Sequence, residues 1–250
     1  MPAATITGIL KPGGVAASRG ADPQWYLTLI LLAWRDPTGR ISRSKLFLQM
    51  PVEQGELDDW MKRLPVGAPL RIEVEPAAAD QPPRRMKAFV AVVDDPELVR
   101  VAEEIANPPP IVDPALGEFR YDATCERYAA QCRWGACAVE LSIATGENGA
   151  FGDALAVARA LWAEPDRWTE DLRRRLISEL LPLKNDVWLE EGEAPLSPDE
   201  FWHRAVLQGI SVEDGGHFTF WFDDGDMFWR HAIEARGSLD EGVTEVMLAG

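Results

Sequence analysis

Residues 107–110 read Asn107-Pro108-Pro109-Pro110. Three consecutive prolines fix φ three times, remove three backbone donors, and bar both a helix and a central strand from running through them. The segment is therefore expected to be a stiff, extended connector between separate folding units. Composition changes at the same place. Residues 1–110 hold 13 Lys+Arg and 14 Asp+Glu, whereas residues 111–250 hold 12 and 27, so nearly all of the net charge of −16 lies in the second part. We expect two domains, 1–107 and 112–250. At 250 residues and 46% hydrophobic, the chain can bury a core in each. It is too apolar for a disordered tail and too poor in cysteine for a disulfide miniprotein.

The first domain reads as strand-rich. Thr5–Leu10 predicts a short strand followed by a turn at Pro12-Gly13-Gly14. Trp25–Trp34 is apolar on both alternating faces, as a central buried strand requires. Asp36-Pro37-Thr38-Gly39 carries type I turn chemistry and joins it to Ser44–Met50 as a hairpin. Leu57, Trp60, Met61 and Leu64 then mark one amphipathic helix. Strands at Leu70–Glu75 and Met86–Val93 and a helix at Pro96–Ala106 complete the unit. Three strands, a helix and two strands is the order of a small β-barrel of the OB type.

The second domain opens with strands at Glu118–Tyr121, Arg127–Trp134 and Cys137–Ile143, stopped by the turn cluster Thr145-Gly146-Glu147-Asn148-Gly149. Three helices follow. Phe151, Leu155, Ala158 and Trp162 mark the first, and Trp168, Leu172, Leu176 and Leu180 the second. Ser197-Pro198-Asp199-Glu200 is a capping box that starts the third, with Gly209 placed to close it. The chain returns to strand from Ile210, with a last edge strand at Gly242–Ala249. Asp224-Gly225 predicts a two-residue type I′ hairpin loop. That register sets Phe222 against Met227, Phe220 against Trp229 and Phe218 against His231, with Trp221 and Phe228 on the opposite surface. The fold class is thus α+β, a small barrel followed by an antiparallel sheet with three helices.

Candidate chemistry concentrates in the same hairpin. Asp223, Asp224, Asp226 and His231 combine ligand types suited to Mn, Zn or Fe, and the alternative reading is a metal-assisted hydrolase built on them. The hairpin register separates the aspartates from His231, however, and Asp at a tip is ordinary turn chemistry. No metal and no cofactor is assigned. There is no nucleophile elbow and no phosphate loop. The reading that fits better is a non-catalytic protein-binding or regulatory module. Trp188, Trp202, Trp221 and Trp229, together with the hairpin aspartates and His231, are its candidate binding residues. An acidic domain suits a basic protein partner, and one form of this reading is an immunity-type protein. Nucleic acid is disfavoured by charge, although Arg40, Arg43 and Lys45 lie on the barrel.

Three strings bear a resemblance. Asp113-Pro114-Ala115-Leu116-Gly117-Glu118-Phe119, Leu183-Lys184-Asn185-Asp186-Val187-Trp188-Leu189 and Phe222-Asp223-Asp224-Gly225-Asp226-Met227-Phe228-Trp229-Arg230-His231 together resemble the bacterial family known as domain of unknown function 2262. The resemblance covers residues 112–250 and implies an α+β domain of bacterial cytoplasmic proteins. It implies no activity and carries over no functional residue.

Three cysteines, Cys125, Cys132 and Cys137, with no CxxC pair, point to reduced thiols in a cytoplasm. The first twenty residues lack a signal-peptide core, and the longest apolar run, Leu27–Trp34, is too short to span a bilayer. Edge strands and a two-faced hairpin suit a homodimer.

Overall fold

The computed structural model describes residues 4–19, 24–75, 84–145, 151 and 153–249. The turn expected at residues 146–149 and the side chain of Met61 lie outside that set. The chain divides into two units, Met1–Pro108 with Asp122–Cys125, and Pro109–Tyr121 with Glu126–Gly250.

The first unit runs β1 (Ala4–Arg19), β2 (Trp25–Arg35), β3 (Ile41–Ser42), β4 (Leu46–Val52), α1 (Leu57–Arg63), β5 (Pro69–Val74), β6 (Arg84–Val92) and α2 (Pro96–Ala106). Five strands close into a barrel in the cyclic order β1-β2-β4-β6-β5, with β3 appended to β2. The β4–β6 pairing is parallel; the other pairings of the ring are antiparallel. Both faces of β2 are apolar for a concrete reason. Leu27, Leu29 and Leu31 fill the barrel beside Leu48, Leu70 and Ile72. On the outer side, Leu32 and Ala33 pack against Leu98, Val101 and Ala102 of α2.

The local chemistry of this unit is tight. The Asp36 carboxylate accepts the Thr38 and Arg40 backbone N–H groups at 2.8 and 3.0 Å, fixing the turn into β3. Asp95 caps α2 by accepting Leu98 N–H at 3.0 Å and also receives Arg35 Nε at 2.9 Å. The short strand expected at Thr5–Leu10 is instead the first part of β1, which continues to Arg19. Its pairing with β2 jumps from Leu10 opposite Leu31 to Val15 opposite Leu29, so Lys11–Gly14 bulge out against Ile30. A Cβ on Gly14 would stand 2.8 Å from the Ile30 carbonyl oxygen. The glycines therefore make a bulge that bends β1 around the barrel, rather than a turn that ends it.

The second unit runs β7 (Ile111–Asp113), β8 (Gly117–Asp122), β9 (Arg127–Trp134), β10 (Cys137–Ala144), α3 (Ala154–Ala163), α4 (Pro165–Val187), α5 (Pro198–Arg204), β11 (Val206–Val212), β12 (His217–Asp223), β13 (Ala232–Ser238) and β14 (Gly242–Ala249). The sheet follows chain order from β7 to β14. It is not wholly antiparallel: β10 and β11 pair in parallel, Leu141 opposite Ile210. A parallel pair needs a crossover, and the helical segment supplies it. The helices bury Ala158, Leu161, Trp168, Leu172, Leu176 and Leu180 against Trp134, Leu141, Phe218, Phe220 and Ile233 on one sheet face. Gln131, Arg133 and Glu140 on the opposite face are exposed.

Two further expectations are corrected. The Ser197 capping box forms, with Ser197 N–H donating to Glu200 Oε2 at 2.9 Å. However, α5 stops at Arg204, and Gly209 sits inside β11 opposite Glu140 instead of closing the helix. Its missing Cβ would lie 3.2 Å from the Glu140 carbonyl oxygen, so the parallel pairing itself uses the glycine. The hairpin register also differs. Phe222 pairs with Ile233, Phe220 with Ala235 and Phe218 with Gly237. The connection is an eight-residue loop from Asp224 to His231, not a two-residue turn.

Candidate functional site

That loop is built around one buried carboxylate. Asp224 is 3% exposed. Its Oδ1 accepts Asp226 N–H at 3.2 Å, and its Oδ2 accepts Phe228 N–H at 2.6 Å and Arg230 N–H at 3.1 Å. Three backbone donors on one carboxylate wind the chain into a compact coil, and this is why the two-residue loop loses. Met227 and Phe228 turn inward and are fully buried. Asp226, Trp229 and Arg230 are left in the left-handed region, at φ 60, 54 and 69. Gly225, at φ 56, passes so close to the Arg204 carbonyl that a Cβ would come within 2.4 Å of it.

The coil delivers Trp229 to the surface at 70% exposure. Its ring meets Trp188 edge to face, centroids 5.0 Å apart, and Trp188 makes similar contacts with Phe228 and His231 at 5.7 Å each. Trp188 is held in turn from α4. The stripe Trp168, Leu172, Leu176, Leu180 continues one more step to Lys184, which is 1% exposed. Lys184 Nζ donates to the Trp188 carbonyl at 2.8 Å and to Glu193 Oε2 at 2.6 Å. The Lys184 ammonium, with the Glu190 N–H, holds the Glu193 carboxyl below its ordinary range. Asn185 exchanges two hydrogen bonds with Leu196, both at 2.9 Å, and so fixes the far end of the same loop.

The residues predicted for binding thus divide. Trp188, Trp229 and His231 come together in one aromatic cluster. Asp223 and Asp226 are exposed, the first accepting Gly225 N–H at 2.9 Å, the second 4.0 Å from Arg230 Nε. Asp224 faces inward and belongs to the framework. Trp202 stands apart, 6.2 Å from Phe222, on the wall of an apolar pocket of about 400 Å³ with Trp134 and Leu172. Trp221 lies on the helix-free sheet face beside Thr219, where its Nε1 donates to Ser211 Oγ at 3.1 Å. Phe228, expected on that same surface, is inside.

The metal reading loses its geometry here. The oxygens of Asp224 are occupied by backbone donors, and His231 leans on an indole. Among the described residues, no group of three His, Cys, Asp or Glu side chains is placed to hold a metal ion. Sequence reasoning did not join Lys184 to Glu193 as a buried pair, yet a lysine four residues beyond Leu180 on an apolar stripe was the available signal.

Each string behind the family resemblance contains one buried charge. Asp113, 3% exposed, accepts Ala115 and Leu116 N–H at 2.9 Å and Arg159 Nη2 at 2.6 Å. Lys184 and Asp224 are the other two. All three charges tie backbone segments together.

Comparison with known families agrees with that resemblance. The family model described as an uncharacterized protein conserved in bacteria (DUF2262) matches residues 113–248, and a domain of unknown function (DUF7021) matches residues 2–105. No curated protein matches the chain. No solved structure matches it. Among the described residues, no helix is long and apolar enough to cross a membrane.

Proposed function

From the premise that the chain belongs to the bacterial DUF2262 family, we propose that its C-terminal unit is a protein-binding module whose contact surface is the Trp188–Trp229–His231 cluster. One observation carries the reading: a tryptophan 70% exposed on a loop whose backbone is pinned from inside. A left-handed conformation costs a non-glycine residue about 1–2 kcal/mol, and exposing an indole forgoes its burial. Rigid, protruding aromatics of this kind are the anchors on which protein interfaces concentrate their energy.

The rim defines the partner. Asp186, Glu190 and Glu191 flank Trp188, and Asp223 and Asp226 flank the coil, all exposed. With 12 Lys+Arg against 27 Asp+Glu in residues 111–250, the field attracts a basic protein. A regulator of the immunity type, masking a basic partner by charge and shape, is one form of this reading. None of the three cysteines is in a disulfide, which supports a reducing, cytoplasmic setting. For the N-terminal unit we infer an OB-type barrel, supported by the parallel β4–β6 closure and by α1 between β4 and β5.

The test uses the full chain and its Trp229→Ala variant as baits in bacterial lysate, at low and moderate salt. A basic protein retained by the first, released as salt rises and not retained by the second, is the expected result. Identical retention by both baits would sink the assignment.

A further inference from the structure

We propose that the pocket between α4, α5 and the β9–β10 turn binds a small aromatic amine. Its cavity of about 400 Å³ is of small-molecule size. The pocket lies at the Pro165 end of α4, whereas Trp188 follows the opposite end. It also takes up Trp202, which the protein-binding surface leaves unused.

The lining divides into an apolar floor and a polar rim. Trp134, Leu172 and Phe222, at 5%, 1% and 3% exposure, make the floor together with half-buried Trp202. Trp134 Nε1 donates to Thr169 Oγ1 at 3.0 Å, so this indole is fixed and its donor is already used. A flat ring entering the pocket meets two indoles and a phenyl ring. Aromatic pairs gain from offset and edge-to-face contacts beyond the area they bury, whereas an aliphatic chain gains burial alone.

The rim selects the charge of the ligand. Asp166 is the one Asp, Glu, Lys or Arg among the described lining residues, and no described cation pairs with it. Pro165 beside it has no N–H to offer an anion. His203 supplies a second acceptor. Its Nδ1 lies 2.6 Å from the Asp199 carbonyl oxygen, which can only accept, so Nδ1 carries the proton. In the neutral ring Nε2 is then a lone pair, and no described residue donates to it. An ammonium group, which only donates, matches a rim of two acceptors; a carboxylate does not. The same cation gains from the nearby indoles.

Titrating the full chain at pH 8 with phenethylamine, phenylacetate and hexylamine, read by calorimetry, tests this. Phenethylamine should saturate a single site about tenfold or more tighter than either of the others. The exposed Cys137 thiol lines the pocket and reads the location. Saturating phenethylamine should slow its alkylation by N-ethylmaleimide severalfold, with exposed Cys125 as the internal reference. Asp166→Asn, at an exposed position, should remove the preference for the amine over phenylacetate with a nearly unchanged melting temperature. Trp202→Leu should weaken phenethylamine about fivefold or more. Absence of saturable binding, equal affinity for phenylacetate or hexylamine, unslowed alkylation of Cys137, a retained preference in Asp166→Asn, or wild-type affinity in Trp202→Leu would each overturn the proposal.

Discussion

The carboxylate of Asp224 receives the backbone N–H of Phe228 at 2.6 Å, across four residues that contain the hairpin's apparent turn signal. This one bond reverses the meaning of the segment. Asp224 becomes the hub of a coil, Phe228 becomes core, and the residue after it, Trp229, is pushed into solvent.

Replacing Asp224 with Ala is expected to cost about 2–4 kcal/mol, because three backbone donors lose a charged acceptor and one of them, on Phe228, is buried. Asp223→Asn, at an exposed position, should stay within about 0.5 kcal/mol. Urea denaturation of both variants measures the difference. Equal stability would mean that the coil does not depend on the carboxylate.

Trp229→Ala is expected to leave the melting temperature nearly unchanged, since a side chain 70% exposed contributes little burial. A large drop in differential scanning calorimetry would instead make Trp229 a structural residue and weaken the binding proposal.

Glu193→Gln is predicted to destabilise the C-terminal unit by about 3 kcal/mol, because it leaves the Lys184 ammonium buried without its counter-charge. Lys184→Met with Glu193→Gln should recover part of that loss. Chemical denaturation of the two variants side by side shows whether the pair, or only the orphaned charge, matters.

The same pair sets a pH dependence, together with Asp95. Arg35 holds the Asp95 carboxyl low, as Lys184 does that of Glu193. A carboxylate whose folded pKa is depressed stabilises the fold above its unfolded pKa and loses that contribution as pH falls through the folded value. Stability should therefore decline below about pH 4, and less steeply in Glu193→Gln. Melting curves from pH 7 to pH 2.5 test the sign.

Gly14→Ala is expected to destabilise the barrel by about 2 kcal/mol or more, because the new methyl meets the Ile30 and Lys11 carbonyl oxygens at 2.8 Å. At Gly39, φ is +93 but nothing stands within 4 Å, so Ala there should cost only about 1 kcal/mol. Thermal melts of residues 1–250 carrying each change compare them.

The local signals were legible because each is decided within a few residues. Periodicity placed β2, β9 and α4, side-chain oxygens placed the Asp36 turn and the Ser197 cap, and the proline run lies where the two units part. The charge asymmetry and the tryptophans were equally open to reading, and so was Lys184 on its stripe. What only the tertiary structure decided depends on partners far along the chain. Whether Gly13 and Gly14 end a strand or bend it depends on β2, which pairs with β1 on both sides of the bulge while β5 pairs only with the part before it. Whether Gly209 stops a helix or sits in a strand depends on β10. Asp224-Gly225 is a sound two-residue loop signal in isolation, but it is outweighed by three amides and the burial of Met227 and Phe228. Short-range preferences are worth about 1 kcal/mol each, and cooperative packing with satisfied buried charges exceeds them wherever the two conflict.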